Sequence, residues 1–161
     1  LLAYNFHHLY GCNISCLRFF TVYGPWGRPD MAYFSFTKNI LAGTPIDVYN
    51  NGDMRRDFTY IDDIVEGFVR AVSRPLGFSI INLGRGAPVA LMDFISELER
   101  ALGRSATINF LPMQPGDVPE TYASTEKARD LLGFQAKTPF SEGIAKFVSW
   151  YQTYYGPTGS E

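Results

Sequence analysis

The chain has 161 residues, of which 46% are apolar and 19% charged, with a formal net charge of −2. That length supports about one domain with a substantial core, and that composition excludes a disordered or highly charged chain. A net negative balance argues against a surface that tracks nucleic-acid phosphates, and no apolar run approaches the ~18 residues of a membrane helix. With no basic stretch followed by an apolar one at the start, no secretory leader is read, and the expected localisation is cytoplasmic.

In chain order, "LLAYNFHHLYG" reads as the tail of a helix stopped at Gly11. "NISCLRFFTV" is apolar nearly throughout, as expected of a strand buried on both faces of a parallel sheet. Cys12 and Cys16 flank its entry; without a partner His or Cys cluster they are expected to be reduced core residues, and no metal site is predicted. His7 and His8 are adjacent on the helix and point different ways, which suits solvated or core-edge residues.

A loop, Tyr23 to Asp30, follows the strand and contains Gly24, Pro25, Gly27 and Pro29. Asp30 is expected to cap a helix through "MAYFSFTKNILAG", ended by Gly43. "TPIDVYNNGD" and "MRRDFTYID" read as two short strands able to pair as a hairpin. Asp62 or Asp63 is expected to cap the helix "DDIVEGFVRAVSRP", with Asp63 and Glu66 at capping-box spacing. "FSIINLG" is a further buried strand. "PVALMDFISELERALGR" carries Leu91, Phe94, Ile95, Leu98 and Leu102 on one stripe and closes at Gly103. "ATINFLP" is a strand, and "STEKARDLLGF" a short helix with Ser124 as cap. "TPFSEGIAKFVSWYQTYYG" is a longer helix with Pro139 at its first position. The sum is an α/β chain.

Three segments place charged residues where turn chemistry brings the backbone close to something, a ligand or simply a solvated edge. Thr21 and Arg28 flank the end of the first strand, and ligands of open α/β sheets lie beyond the carboxyl ends of strands. Arg55-Arg56-Asp57 opens an aromatic strand, and Asp117 follows a Pro-Gly turn in "QPGDVPETYAS". Arginines suit a diphosphate through forked hydrogen bonds, a carboxylate suits sugar hydroxyls, and Tyr49 or Tyr60 offers a face to a base. "GRGAP" follows a strand but lacks the spacing of a dinucleotide-binding loop.

The segments "LRFFTVYGPWGRPDMA", "GTPIDVYNNGDMRRDFTYIDDIVEG", "NLGRGAPVALMDFISELERALG" and "MQPGDVPETYAS" resemble the C-terminal half of the UDP-glucuronate 4-epimerases. These belong to the NAD-dependent epimerase/dehydratase branch of the extended short-chain dehydrogenase/reductases. The resemblance implies the last parallel strands of an NAD(P)-binding Rossmann fold plus a small α/β domain for the nucleotide sugar. Those two parts would interleave over residues 1–156, with 157–161 a disordered tail and the N-terminal NAD-binding half absent. The family's catalytic Tyr-x-x-x-Lys pair would lie upstream of Leu1, so no catalytic residue is expected here and the isolated chain is expected to be inactive.

By the same resemblance, Thr21 would bond the sugar carboxylate or an adjacent hydroxyl, and Phe20, Thr21, Val22 and Tyr23 would line the NAD. Arg28 would face the diphosphate or the carboxylate, and Arg56 the diphosphate. Val48 and Tyr49 would pack on the uracil, Asp117 would contact the ribose, and the amides of Met31 and Ala32 would approach the nucleotide. Trp26 would anchor the rigid loop by packing. Gln114-Pro115 departs from the arginine often found before this Gly-Asp, which bears on one diphosphate contact. The implied reaction interconverts UDP-glucuronate and UDP-galacturonate through a 4-keto intermediate, in an intact protein that would form a homodimer. A related nucleotide-sugar epimerase, dehydratase or decarboxylase, or a non-catalytic nucleotide-sugar-binding module, are the alternatives.

Overall fold

The computed structural model describes residues 1–156, so the tail expected at 157–161 lies outside the described residues. The elements are α1 (Leu2–Tyr10), β1 (Ile14–Phe19), β2 (Thr21–Tyr23), α2 (Ala32–Ala42) and β3 (Ile46–Val48). A 3-10 turn (Tyr49–Gly52) leads to β4 (Arg55–Arg56), β5 (Phe58–Tyr60), α3 (Ile61–Val72) and β6 (Phe78–Leu83). The chain continues with β7 (Val89–Ala90), α4 (Leu91–Leu102), β8 (Ile108–Phe110), β9 (Glu120–Thr121), α5 (Glu126–Leu132) and α6 (Phe140–Tyr155). These assemble into two compact units that alternate along the sequence. The first takes Leu1–Val22, Asp57–Ala87 and Tyr122–Lys137; the second takes Tyr23–Arg56, Pro88–Thr121 and Thr138 onward.

In the first unit β1 and β6 pair in parallel, from Ile14 opposite Phe78 to Phe19 opposite Leu83. Ile64 and Ala71 of α3, Ile81 and Leu83 of β6, and Ala128, Leu132 and Phe134 around α5 form the core. Gly67 lets α3 approach closely, since a Cβ there would lie 2.9 Å from Phe134 and 3.0 Å from Leu83. Arg70 donates to the carbonyls of Leu132 and Gly133, and Arg74 to that of Leu131, which satisfies the orphan carbonyls at the end of α5.

The double-sided burial expected of β1 is not observed: Arg18 and Phe19 are exposed and none of its residues is fully buried. Among the described residues β1 has one neighbouring strand, so only one edge is paired. Cys12 is accordingly exposed and Cys16 half-buried, both free thiols but not core residues. His7 is a core-edge residue, its Nδ1 2.7 Å from the Cys12 carbonyl and its ring beside Phe78.

The second unit has an aromatic core built by α2, α4 and α6. Tyr33 meets Phe147 edge to face at 5.0 Å and Phe34 meets Tyr151 at 5.1 Å, the arrangement that ring quadrupoles favour. Phe94, Ile95, Leu98 and Leu102 deliver the predicted stripe of α4, and Gly103 closes that helix in the left-handed region. β3 pairs in parallel with β8, while β4 lies between antiparallel β7 and parallel β9.

The expected hairpin is therefore replaced by non-local pairing. Asn50 and Asn51 both adopt positive φ in the intervening turn, and β3 and β4 go to separate sheets. The expected caps also differ, because each side chain has another tertiary or local partner. Met31 is the N-cap of α2 while Asp30 pairs with Arg28; Tyr60 is the N-cap of α3 while Asp63 accepts from the Lys137 amide. Glu66 pairs with Arg70 instead of closing a capping box. Thr125 rather than Ser124 precedes α5, and Pro139 sits just before α6 instead of at its first position.

Candidate functional site

In the second unit, parallel strands β3 and β8 run side by side, so their carboxyl ends open in the same direction. The chain leaves β3 into Tyr49 and leaves β8 into the loop that carries Asp117. Asn51 donates to the Leu111 carbonyl and Leu111 to that of Val48, which ties the two exits together. Val48 itself is fully buried, its side chain backing the site from the core, whereas Tyr49 is half-buried.

Arg56, on β4, reaches the loop that carries Asp117. Its Nη2 donates to Asp117 Oδ1 at 2.7 Å, and its Nη1 to the carbonyls of Arg55 and Pro119. Among the described residues three of its five N–H groups are thus engaged, and two remain for a ligand. Asp117 Oδ1 also accepts from the Val118 amide, which fixes the carboxylate at the turn. Arg56 and Asp117, predicted to contact different parts of one ligand, are brought into direct contact.

The loop after β2 is held from beneath. A Cβ on Gly27 would fall 1.7 Å from the Tyr33 hydroxyl, so any larger residue must displace the buried phenol that presses against the loop. Burial pushes the Tyr33 phenol upward, the nearby Asp30 carboxylate adding to the effect, so it is a neutral donor and acceptor at ordinary pH. Trp26 takes φ 61, a rare conformation for a bulky residue, and its ring lies 5.3 Å from Trp150 and 5.0 Å from Tyr154. The packing anchor expected at Trp26 is present, though the side chain is also 73% exposed.

Arg28 stands on the exposed side of this loop and donates from Nε and Nη2 to the two oxygens of Asp30. The hydrogen bond to Arg28 holds the Asp30 carboxyl below its ordinary value, and Asp30 raises the guanidinium in return. The Met31 amide bonds to the Arg28 carbonyl, leaving Ala32 as the first helical position of α2.

The residues predicted for the cofactor fall on the first unit, except Tyr23. Phe20 donates its amide to the Leu83 carbonyl, and Thr21 and Val22 begin β2, which pairs with β5. Phe20, Thr21 and Val22 are all half-buried. Tyr23 is 1% exposed: its ring packs on Tyr33 and Phe140 and its hydroxyl donates to the Phe140 carbonyl. Its side chain belongs to the core and is not available to line a cofactor.

The "GRGAP" turn shows what sequence reasoning missed. The amides of Arg85 and Gly86 form an anion cradle, but the anion is internal: Asp57 accepts from them at 2.9 and 2.8 Å. The signal available was a lone carboxylate between Arg56 and the apolar "FTY". Among the described residues no group of three or more His, Cys, Asp or Glu could hold a metal, and no helix is long and apolar enough to cross a membrane.

The model of the NAD dependent epimerase/dehydratase family matches residues 1–84. The chain belongs to this family. It is 52% identical over 151 residues to an uncharacterized protein of Methanocaldococcus jannaschii, covering 94% of this chain and 46% of that protein. It is 47% identical to a probable UDP-glucuronate 4-epimerase of Rhizobium meliloti, covering 96% of this chain and 51% of the relative. The crystal structure of the UDP-glucuronic acid 4-epimerase from Bacillus cereus, in complex with UDP-glucuronic acid and NAD, is 36% identical. It superposes with a TM-score of 0.89 over 96% of this chain and 50% of that one. The chain thus has the α/β fold of the C-terminal half of this epimerase, and it spans about half the length of the curated relatives it matches.

Proposed function

We propose that this chain is the nucleotide-sugar-binding portion of an NAD-dependent UDP-glucuronate 4-epimerase that interconverts UDP-glucuronate and UDP-galacturonate. The observation that carries this reading is the Arg56–Asp117 pair beside the exits of β3 and β8 in sequence, in a chain similar to an epimerase solved with UDP-glucuronic acid and NAD. In this reading the open N–H groups of Arg56 take the diphosphate, Asp117 takes the ribose hydroxyls, and Tyr49 packs on the uracil with Val48 behind it. Arg28 exchanges Asp30 for a ligand anion, either diphosphate or hexuronate carboxylate. Thr21 donates its hydroxyl to the sugar carboxylate or an adjacent hydroxyl, and the Ala32 amide at the start of α2 faces the nucleotide, the Met31 amide being taken by the Arg28 carbonyl.

The residues present suit only one end of NAD. The backbone from Phe20 to Tyr23 lies at the carboxyl end of a parallel strand, while the cradle at Arg85-Gly86 is closed by Asp57 and cannot hold phosphate. NAD, when bound, supplies the hydride acceptor and donor for the sugar C4. The C4 hydroxyl proton would go to the tyrosine of the Tyr-x-x-x-Lys pair that the resemblance implies, and the hydride returned by the cofactor would reach the other face of the sugar once it has turned. This chain's part is to hold the nucleotide by Arg56 and Asp117 while the sugar turns. The intact protein is read as a cytoplasmic homodimer.

The test is a substrate screen of the full-length protein with UDP-glucuronate, UDP-galactose and dTDP-glucose. Conversion of UDP-glucuronate to UDP-galacturonate, with Thr21→Val impairing that substrate far more than UDP-galactose, is the expected result. Equal turnover of UDP-galactose, or release of carbon dioxide as the main outcome, overturns the assignment.

A further inference from the structure

Asp57 has no part in the site just described, yet among the described residues it is the most deeply buried charged side chain, at 0% exposure. Among the described residues its hydrogen bonds come from backbone amides and one hydroxyl. Oδ1 accepts from the Arg85 amide at 2.9 Å and, at a longer 3.4 Å, from the Thr59 hydroxyl. Oδ2 accepts from the amides of Gly86 at 2.8 Å and Ala123 at 2.9 Å. Gly84 makes room for this, since a Cβ there would lie 2.9 Å from Oδ2 and 2.6 Å from the Ala123 Cβ.

These donors are not arbitrary points on the chain. The backbone passes from one unit to the other between 56 and 57, between 87 and 88, and between 121 and 122. Asp57 is the first residue after one passage. Arg85 and Gly86 lie within three residues of the second, and Ala123 is the second residue after the third. Following the same three segments along the chain leads directly to β4, β7 and β9, in which Arg56 is held between Val89 and Thr121. The segment before β9 also supplies both Asp117 and Pro119, partners of the Arg56 guanidinium.

We propose that Asp57 is a positioning residue for Arg56. One buried carboxylate clamps the three strand connections whose continuations frame that arginine, and so sets where its open N–H groups meet a diphosphate. The inference rests on the reading of Arg56 as the diphosphate ligand. Asparagine cannot replace Asp57, because turning either oxygen into NH2 sets a donor against a backbone amide: Arg85 on one side, Gly86 and Ala123 on the other.

The experiment is a double-mutant cycle in the full-length protein, reading UDP affinity by calorimetry on folded material, with NAD content measured in parallel. Asp57→Asn should weaken UDP binding about tenfold alone, by less than about twofold in an Arg56→Ala background, and leave NAD content unchanged. Gly84→Ala, which presses on the same carboxylate, should give the same pattern and serves if Asp57→Asn fails to fold. Equal losses in both backgrounds, or a lowered Tm with UDP affinity intact, overturn the positioning role while leaving Arg56 as the ligand. Unchanged UDP affinity in Arg56→Ala overturns the diphosphate reading itself, and the positioning role with it.

Discussion

Two arginine–carboxylate pairs in the second unit invite comparison. Arg28 and Asp30 are two residues apart on an exposed loop, with side chains 75% and 64% accessible. Arg56 and Asp117 are 61 residues apart, with side chains 22% and 33% accessible, and they fasten β4 to the loop before β9. The first pair is screened by water and ties down almost nothing, so a ligand anion can displace Asp30 at little cost. The second is part of the framework, and a ligand must add to it. One arginine is therefore loosely paired and the other preset, and under the proposed function the first is free to follow an acidic sugar while the second holds the nucleotide.

The largest expected effect breaks the preset pair. Arg56→Ala should weaken UDP-sugar binding about 100-fold, the scale of losing charge-assisted bonds to phosphate, with Arg28→Ala costing at most about tenfold; KM and UDP Kd values decide it. Equal losses would erase the distinction. Next, Gly27→Ala should destabilise the protein by about 1–3 kcal/mol in thermal unfolding, because the Tyr33 hydroxyl occupies the space a Cβ needs. Tyr33→Phe in that background should restore part of the loss.

Asp117→Asn should follow at about fivefold in KM, since Arg56 keeps its two carbonyl partners while the charge assistance disappears. The smallest effect sharpens the exchangeable pair. Asp30→Asn should leave Tm unmoved, and an NMR titration should find the Asp30 carboxyl midpoint below the ordinary ~3.9. Because the folded carboxyl is depressed, the pair is intact at neutral pH and is lost as pH falls through that lowered midpoint. Arg28→Ala should move the midpoint back up.

Much of the fold was legible because periodicity and glycine punctuation are local. The stripe of α4 and the left-handed glycines at 11, 43 and 103 were placed by short-range rules that no distant contact overrides. The caps failed where a side chain found a stronger partner: Asp63 turned to the Lys137 amide, 74 residues away. The strand pairing failed because β3 and β4 are too short to choose a neighbour locally, and Asn50-Asn51 turned the chain out of hairpin geometry. In the candidate site, residue types suggested ligand roles for Arg56 and Asp117, but nothing within a few positions of either could say that they touch. Asp57 was the least legible, since its three amide donors lie 28, 29 and 66 positions along the chain.

The indole of Trp26 gives the exchangeable loop a voice. It shares that loop with Arg28 and rests against Trp150 and Tyr154, and Trp26 and Trp150 are the chain's two tryptophans. Any shift of the loop that frees Arg28 alters the distance between two emitters and the wetness of one. Intrinsic fluorescence should therefore report arrival of an acidic sugar without a dye, as a change in emission maximum that a neutral hexose leaves smaller.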